Sequence, residues 1–321
     1  MKNYDVVALG ELLIDFTENG LSNQGNPIFE ANPGGAPCNV LAMLAKLNRT
    51  VAFIGKVGAD AFGYQLKQAL VEVGIDAQAL KHDEKVHTTL AFVQTLADGD
   101  RDFSFYRKPG ADMMLKKDEV PKELIEASKI FHFGTLSMTD DDNREATKYA
   151  LDVAKAHGLL ISFDPNIRMP LWDSLEELRE QMEYGMNYCD ILKISDDEIT
   201  WFTGKNDYVD GAKYLAETYD IPLVVVSLGK DGSFAYYKDS VVYADAFALE
   251  NTIETTGAGD TFMACMLHGV LSHGLESLST NVLKEMLVFA NAAAALITTK
   301  KGALRVMPTL EEIKGLQKNK D

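Results

Sequence analysis

Short β-rich apolar runs alternate with stretches whose apolar residues recur at helical spacing, and this alternation is what most narrows the folds open to the chain. Runs at 5–9 (DVVAL), 51–57 (VAFIGKV), 130–134, 159–164 (LLISFD), 191–194 (ILKI) and 223–227 (LVVVS) read as strands, with two more at 233–237 and 241–247. Between them fall helical faces such as Val40, Leu41, Leu44, Ala45 and Leu47, or Phe62, Leu66, Ala69, Leu70 and Val73; an Ala-rich helix at 283–296 closes the series. Neighbouring parallel strands need such crossovers, so the pattern predicts a doubly wound, mostly parallel α/β sheet. One stretch breaks the rhythm. TTLAFVQTL (88–96) and RDFSFYR (101–107), joined by ADGD, read as a hairpin, which does not fit inside a run of crossovers. It is expected outside the main sheet, paired with ELLIDF (11–16) as a small β lid. The chain is read as a single domain over 1–321, with lid strands inserted at about 11–32 and 86–110; its 46% hydrophobic content fills a core of that size.

In open α/β sheets ligands sit beyond the carboxyl ends of the strands. Four polar clusters fall there: Asp164, Asn166 and Arg168; Lys193, Ser195 and Glu198; Ser227 and Gly229; and the stretch 254–266, ETTGAGDTFMACM. Each alone reads more readily as an ordinary solvated loop, but four at equivalent strand ends argue for one site. In the last of them, Gly257 and Gly259 open a helix and allow several backbone N–H groups to aim at one spot, an anion site. Asp260 in the first turn suits the helix dipole, yet repels a phosphate unless a proton or a metal intervenes. Asp15 fits either an exposed strand position or a contact with ligand hydroxyls, and Asn39 either a local cap or a ligand contact. No GxxxxGK[ST] loop occurs, and GAGDTF lacks the third glycine of a dinucleotide fingerprint.

A net charge of −17 argues against nucleic acid and anionic membrane as partners, and it means cations must help to bind any phosphate. Cys38, Cys189 and Cys265 are widely spaced and outside any CxxC pattern, so free thiols in a reducing cytoplasm are expected. The apolar run 6–16 is interrupted by Glu11 and Asp15 and is neither a signal peptide nor a membrane span.

Two segments carry a family likeness. GGAPCNVLAMLAKLN and ETTGAGDTFMACMLHGVL, in this order and separation, resemble the two signature regions of the ribokinase-like (PfkB) carbohydrate kinases, and the likeness spans the chain. FYRKPGADMML and FDPNIRMPLW resemble the fructokinases of that family, while the DPN-x-R segment and its upstream Arg are shared with 2-keto-3-deoxygluconate kinases. The resemblance implies an ATP- and Mg²⁺-dependent kinase acting on D-fructose at O6. The alternative acceptor is 2-keto-3-deoxygluconate; a catalytically silent sugar or nucleotide sensor is the reading of another class, which the retention of Asp260 and both glycines opposes. Carried over by position, Asp260 is the general base and Gly257, Ala258 and Gly259 form the anion hole. Asp15, Gly34, Gly35 and Asn39 bind the sugar, with Arg107 and Arg168 donating to a carboxylate, hydroxyls or phosphate. Lys193, Ser227, Gly229, Gly232 and Asn291 resemble positions lining the ATP site. Glu198 resembles a glutamate linked to magnesium through water, although Ser195 stands where the family's Asn is usual. Glu254 replaces a common Asp and Val306 a small polar residue at the family's monovalent-cation site, which leaves K⁺ dependence open. The lid implies a cover over the site and a possible homodimer face.

Overall fold

The computed structural model describes residues 3–95 and 101–318. Its strands, in chain order, are β1 (Tyr4–Leu9), β2 (Leu13–Leu21), β3 (Pro27–Gly34), β4 (Val51–Gly58), β5 (Ile75–Asp76), β6 (Leu80–Asp83), β7 (Leu90–Thr95), β8 (Arg101–Tyr106), β9 (Ser128–Phe133), β10 (Leu160–Phe163), β11 (Ile191–Ser195), β12 (Leu223–Ser227), β13 (Ser233–Tyr237) and β14 (Ser240–Ala244). The large sheet runs β14-β13-β12-β11-β10-β9-β1-β4-β5, with β6 also on β4. It is parallel from β12 through β5 and ends in the antiparallel pair β13 and β14.

The continuous apolar runs follow from that architecture. A parallel strand covered by helices on both faces has no wet side, and every residue of β4 is buried. The alternation sorts β1 between the two layers: Val6 and Ala8 pack with helices Ala36–Lys46, Ala258–His273 and Thr280–Ile297, while Val7 and Leu9 pack with Asp141–Ala156 and Leu175–Met186. The helix Thr280–Ile297 is apolar and long enough, by length and composition, to cross a membrane. Here Leu283, Leu287, Ala290, Ala293 and Ile297 are buried in the core.

The second sheet has the order β3-β2-β7-β8. As expected, the β7–β8 pair lies off the main sheet and joins the ELLIDF strand, through a parallel β2–β7 pairing. The ADGD turn lies outside the described residues. Gly34 ends β3 and Gly35 caps the following helix. Two features differ from the sequence reading. The short strands β5 and β6 have no counterpart in that reading; both borrow their partner from β4. The chain does not close at 283–296, because an amphipathic helix, Leu310–Lys318, packs against Thr280–Ile297 and buries Ile313.

Candidate active site

The carboxyl ends of the central strands and the inner face of the small sheet enclose a cavity of about 590 Å³. Period-two alternation decides which side chains of the small sheet face it: Leu13, Asp15 and Thr17 of β2, Asn32 of β3, Val93 of β7 and Phe105 of β8 line the wall. Across from them stand Arg168, Lys193, Gly257, Gly259 and Asp260.

Asp260 is the third residue of the helix Ala258–His273, capped by Gly257 in the left-handed region at φ 76. A Cβ at Gly257 would meet the Ala303 Cβ at 2.8 Å, so both conformation and space require glycine. The Asp260 carboxylate is only 7% exposed. Its Oδ2 accepts from Asn39 Nδ2 at 2.8 Å and its Oδ1 from Asn166 Nδ2 at 3.4 Å. Burial raises its pKa; the Asn39 hydrogen bond, Lys193 and Arg168 pull it back. The carboxylate is thus held by two amides while its proton affinity exceeds that of an ordinary Asp.

Lys193 lies beside this loop. Its Nζ sits 3.1 Å from Asp164 Oδ1 and 3.0 Å from Oδ2, and a Cβ at Gly259 would meet it at 3.1 Å. Burial opposes its charge, but Asp164, Glu198 and Asp260 outweigh burial and raise its pKa. Burial pushes Asp164 up to about 7 despite Lys193. His132, behind this pair, donates or accepts at Ser162 Oγ through Nδ1 (2.9 Å), and burial, then Lys193, pushes it down to about 3, so it is neutral.

On the opposite wall burial pushes Asp15 up to about 7, with Arg168 lowering it and Glu254 and Asp260 adding to the rise. Gly34 does not line the cavity. A Cβ there would lie 2.1 Å from Asp15 Oδ2, so this glycine vacates the volume that the carboxylate occupies. Gly34→Ala is therefore expected to displace Asp15 and raise KM for the acceptor about tenfold or more, with a smaller change in kcat; steady-state kinetics with the acceptor varied reads this directly. Gly35 (φ 130) has the same constraint against a backbone, since a Cβ would meet Glu11 O at 2.4 Å.

The other expected site residues fall into two groups. Asp15, Gly35, Asn39, Arg168, Lys193, Gly257, Gly259 and Asp260 come together around the cavity. Ala258 does not, and its N–H donates to Thr255 O at 3.2 Å, which leaves Gly257 and Gly259 as the members of that trio at the cavity. Arg107 is a correction. The family likeness gives it as a donor to the ligand, yet it is 3% exposed and its guanidinium is spent on Asp112, Thr139 and the Leu136 carbonyl. Asn291 is another: its amide holds Ala244 O, Asp245 O and Ser233 Oγ, bracing β13 and β14 from the helix behind. Ser227, Gly229 and Gly232 cluster at that same end of the sheet, outside the cavity. A Cβ at Gly232 would meet Ala244 O at 2.2 Å, whereas one at Gly229 would meet nothing within 4 Å, leaving room above it.

Glu198 is the N3 residue of a capping box. Ser195 N–H donates to its Oε2 (2.9 Å), Ile167 N–H to its Oε1 (2.8 Å), and Ser195 Oγ accepts from Glu198 N–H. This gives Ser195 a purpose in place of Asn, and SDDE carried the signal, an S-x-x-E box. Among the described residues no group of three or more His, Cys, Asp or Glu could hold a metal directly. Each Glu198 oxygen keeps a lone pair, which fits a magnesium ion carried by phosphates and water and reached at second hand. The sequence reading left Glu11 out of the site, and it named Asn166 only within a strand-end cluster and Glu254 only at the monovalent-cation position. Glu11 was visible as a carboxylate inside an apolar run; its Oε1 accepts from Ala36 N–H at 2.7 Å. Glu254 Oε1 accepts from Gly302 N–H at 2.9 Å.

A helix N-terminus and a buried carboxylate that face one cavity are the arrangement that phosphoryl transfer to a hydroxyl requires. The family described as pfkB family carbohydrate kinase matches residues 3–310. A protein described as probable fructokinase-2 of Arabidopsis thaliana is 40% identical over 306 residues, covering 95% of this chain and 93% of its own. A solved fructokinase of Xylella fastidiosa with bound ATP superposes with a TM-score of 0.90 at 29% identity, over 100% of this chain and 99% of its own. A fructokinase of Vibrio cholerae O395 with fructose, ADP and calcium ion bound gives 0.88 at 29% identity, over 98% and 99%. The chain belongs to the pfkB family of carbohydrate kinases.

Proposed function

We propose that this protein transfers the γ-phosphoryl group of ATP to O6 of D-fructose. The observation that carries the reading is Asp260, a buried carboxylate with raised proton affinity, oriented by two amides at the helix N-terminus that lines the cavity. Asp260 takes the O6 proton as the new O6–P bond forms and the bond to ADP breaks; the Gly257 and Gly259 N–H groups face the charge on the transferring oxygens. Asp15 and Asn32 on the inner sheet face suit a polyhydroxy ligand, and the sheet serves as a lid that keeps water from the phosphoryl group. A magnesium ion, when bound, neutralises the triphosphate; Glu198 is the residue that would orient its water. Val306 offers no side-chain oxygen and Glu254 spends Oε1 on Gly302, so no step is assigned to potassium.

The relatives named fructokinases support fructose as acceptor. Burial of Arg107 supports it too, because it removes one of the two arginines that the family resemblance offered to the carboxylate of 2-keto-3-deoxygluconate. ADP release with fructose, 2-keto-3-deoxygluconate, ribose and nucleosides tests the reading: release with fructose is expected, and release with 2-keto-3-deoxygluconate alone overturns the acceptor.

On the lid's outer face Phe16, Phe29 and Tyr106 each meet the Phe92 ring at 4.8 to 5.5 Å, Phe16 is partly covered by Phe62, and Tyr106 and Leu21 are 66% and 65% exposed. An apolar sheet face of this kind supports pairing with a second copy. Light scattering is expected to find a dimer that Tyr106→Glu converts to monomer; a monomeric unmodified protein removes the idea.

A further inference from the structure

We propose that Arg107 is a positioning residue: it locks the base of the lid hairpin to the loop bearing Asn166 and Arg168, so that lid and catalytic floor share one register. The proposal rests on the sugar-kinase reading above. Arg107 ends the hairpin, one residue past β8, and its three polar arms reach three places. Nε donates to Asp112 Oδ2 at 2.8 Å, Nη1 to Thr139 Oγ1 at 2.9 Å and Nη2 to Leu136 O at 2.9 Å. Through Asp112 the link continues to the other stem of the hairpin, since Thr89 Oγ1 donates to Asp112 Oδ1 and Thr89 O accepts from Ile14 N–H of β2 at 3.1 Å. A Cβ at Gly110 would lie 1.8 Å from Thr89 Oγ1, which shows how closely the two stems meet.

Through Leu136 the link continues to the floor. Leu136 lines the cavity, and its neighbour Thr135 donates both its N–H (3.1 Å) and its hydroxyl (2.7 Å) to Pro165 O. Pro165 precedes Asn166, whose amide reaches Asp260. One planar fork therefore ties the lid stems to the loop that orients the base, and lysine, a point donor, cannot make the three bonds at once. The stem has a second pin: Thr88 N–H and Oγ1 donate to Asp60, and Gly58 N–H donates to Thr88 Oγ1. Lid motion is then confined to the strands beyond their bases.

Two variants test this, Arg107→Lys and the charge-neutral double variant Arg107→Gln with Asp112→Asn, the second because a lone Asp112 would be left buried and unpaired. In folded protein, the ratio of sugar-independent ATP hydrolysis to sugar phosphorylation is expected to rise about tenfold or more in both, with KM for ATP within about twofold. A rise in KM for the sugar with that ratio unchanged would mean that Arg107 touches substrate, and a lower melting temperature with unchanged kinetics would mean that it only stabilises; either overturns the proposal. Amide exchange on the unmodified enzyme decides the matter if neither variant folds. The amides of Ile14, Thr88 and Ala111 are expected to be protected without ligand, and exchange at the rate of an unstructured peptide overturns the locking. An unmodified enzyme inactive on every sugar sinks the kinase reading instead, and the exchange measurement still tests the lock.

Discussion

Asp260→Asn is expected to lower kcat by about 10²- to 10⁴-fold while KM for ATP and for the sugar stays within a few-fold. The change is isosteric, and the surroundings can absorb it. Asn39 Oδ1 is buried without a partner, so a flip of the Asn39 amide lets it accept from the amide nitrogen introduced at position 260, while the remaining side-chain oxygen there keeps its Asn166 contact. Stability should not fall. Burial raises the Asp260 pKa, so the folded state holds this proton more tightly than the unfolded chain; the group favours folding at low pH and loses that contribution as pH rises through its folded pKa. Removing the charge should leave the melting temperature at pH 8 unchanged or higher. For the unmodified enzyme the same raised pKa places the acid limb of kcat/KM above the usual carboxylate range. A variant that keeps near-normal turnover, with correct folding shown by its melting curve, would remove Asp260 from the chemistry.

The parts of this molecule that were legible in its sequence are those governed by local period and by backbone need. The largely apolar run of β4, interrupted only by Gly55, Lys56 and Gly58, read as a strand and is buried along its whole length, and the hairpin read as lying off the main sheet, where it lies. Gly257 was read as opening a helix, and it caps one in the left-handed region. What stayed hidden depends on partners far away in the chain. Arg107 looks like a cleft residue until Asp112, Thr139 and the Leu136 carbonyl are seen to consume it, and the last two lie about thirty residues on. Asn291 looks like a ligand-binding amide until the Ala244 and Asp245 carbonyls claim it across more than forty residues. Gly34 shows the converse: it stands beside the cavity rather than in its wall, and its use is the space that it leaves for Asp15. The SDDE box, by contrast, was a local signal and was readable.

Lys193→Met should lower kcat at pH 7 by about 10²-fold, the scale of losing one preorganised group at a developing oxyanion, and should also move the acid limb of the pH profile upward. Both effects come from one charge. Lys193 lies against Gly259 and holds Asp164 at 3.0 Å, and it is among the influences that lower the Asp260 pKa against burial. At 4 Å and an effective dielectric of 20 a unit charge is worth about 4 kcal/mol, so its loss is felt at both carboxyls. Breaking a buried pair ordinarily destabilises by about 3–5 kcal/mol. The cost here should be smaller, because Asp164 already sits at about 7 and can take up a proton once its partner is gone. Asp260 has no such escape without ceasing to be a base. As its pKa climbs, less of it is charged at pH 7, and raising the pH to about 9 should recover part of the turnover. Lys193→Arg separates charge from shape, since it keeps the cation while crowding Gly259. The decisive measurement is kcat/KM against pH for the three enzymes. A uniform drop at every pH, with the limb unmoved in Lys193→Met, would show that Lys193 only contacts phosphate and leaves the base untuned.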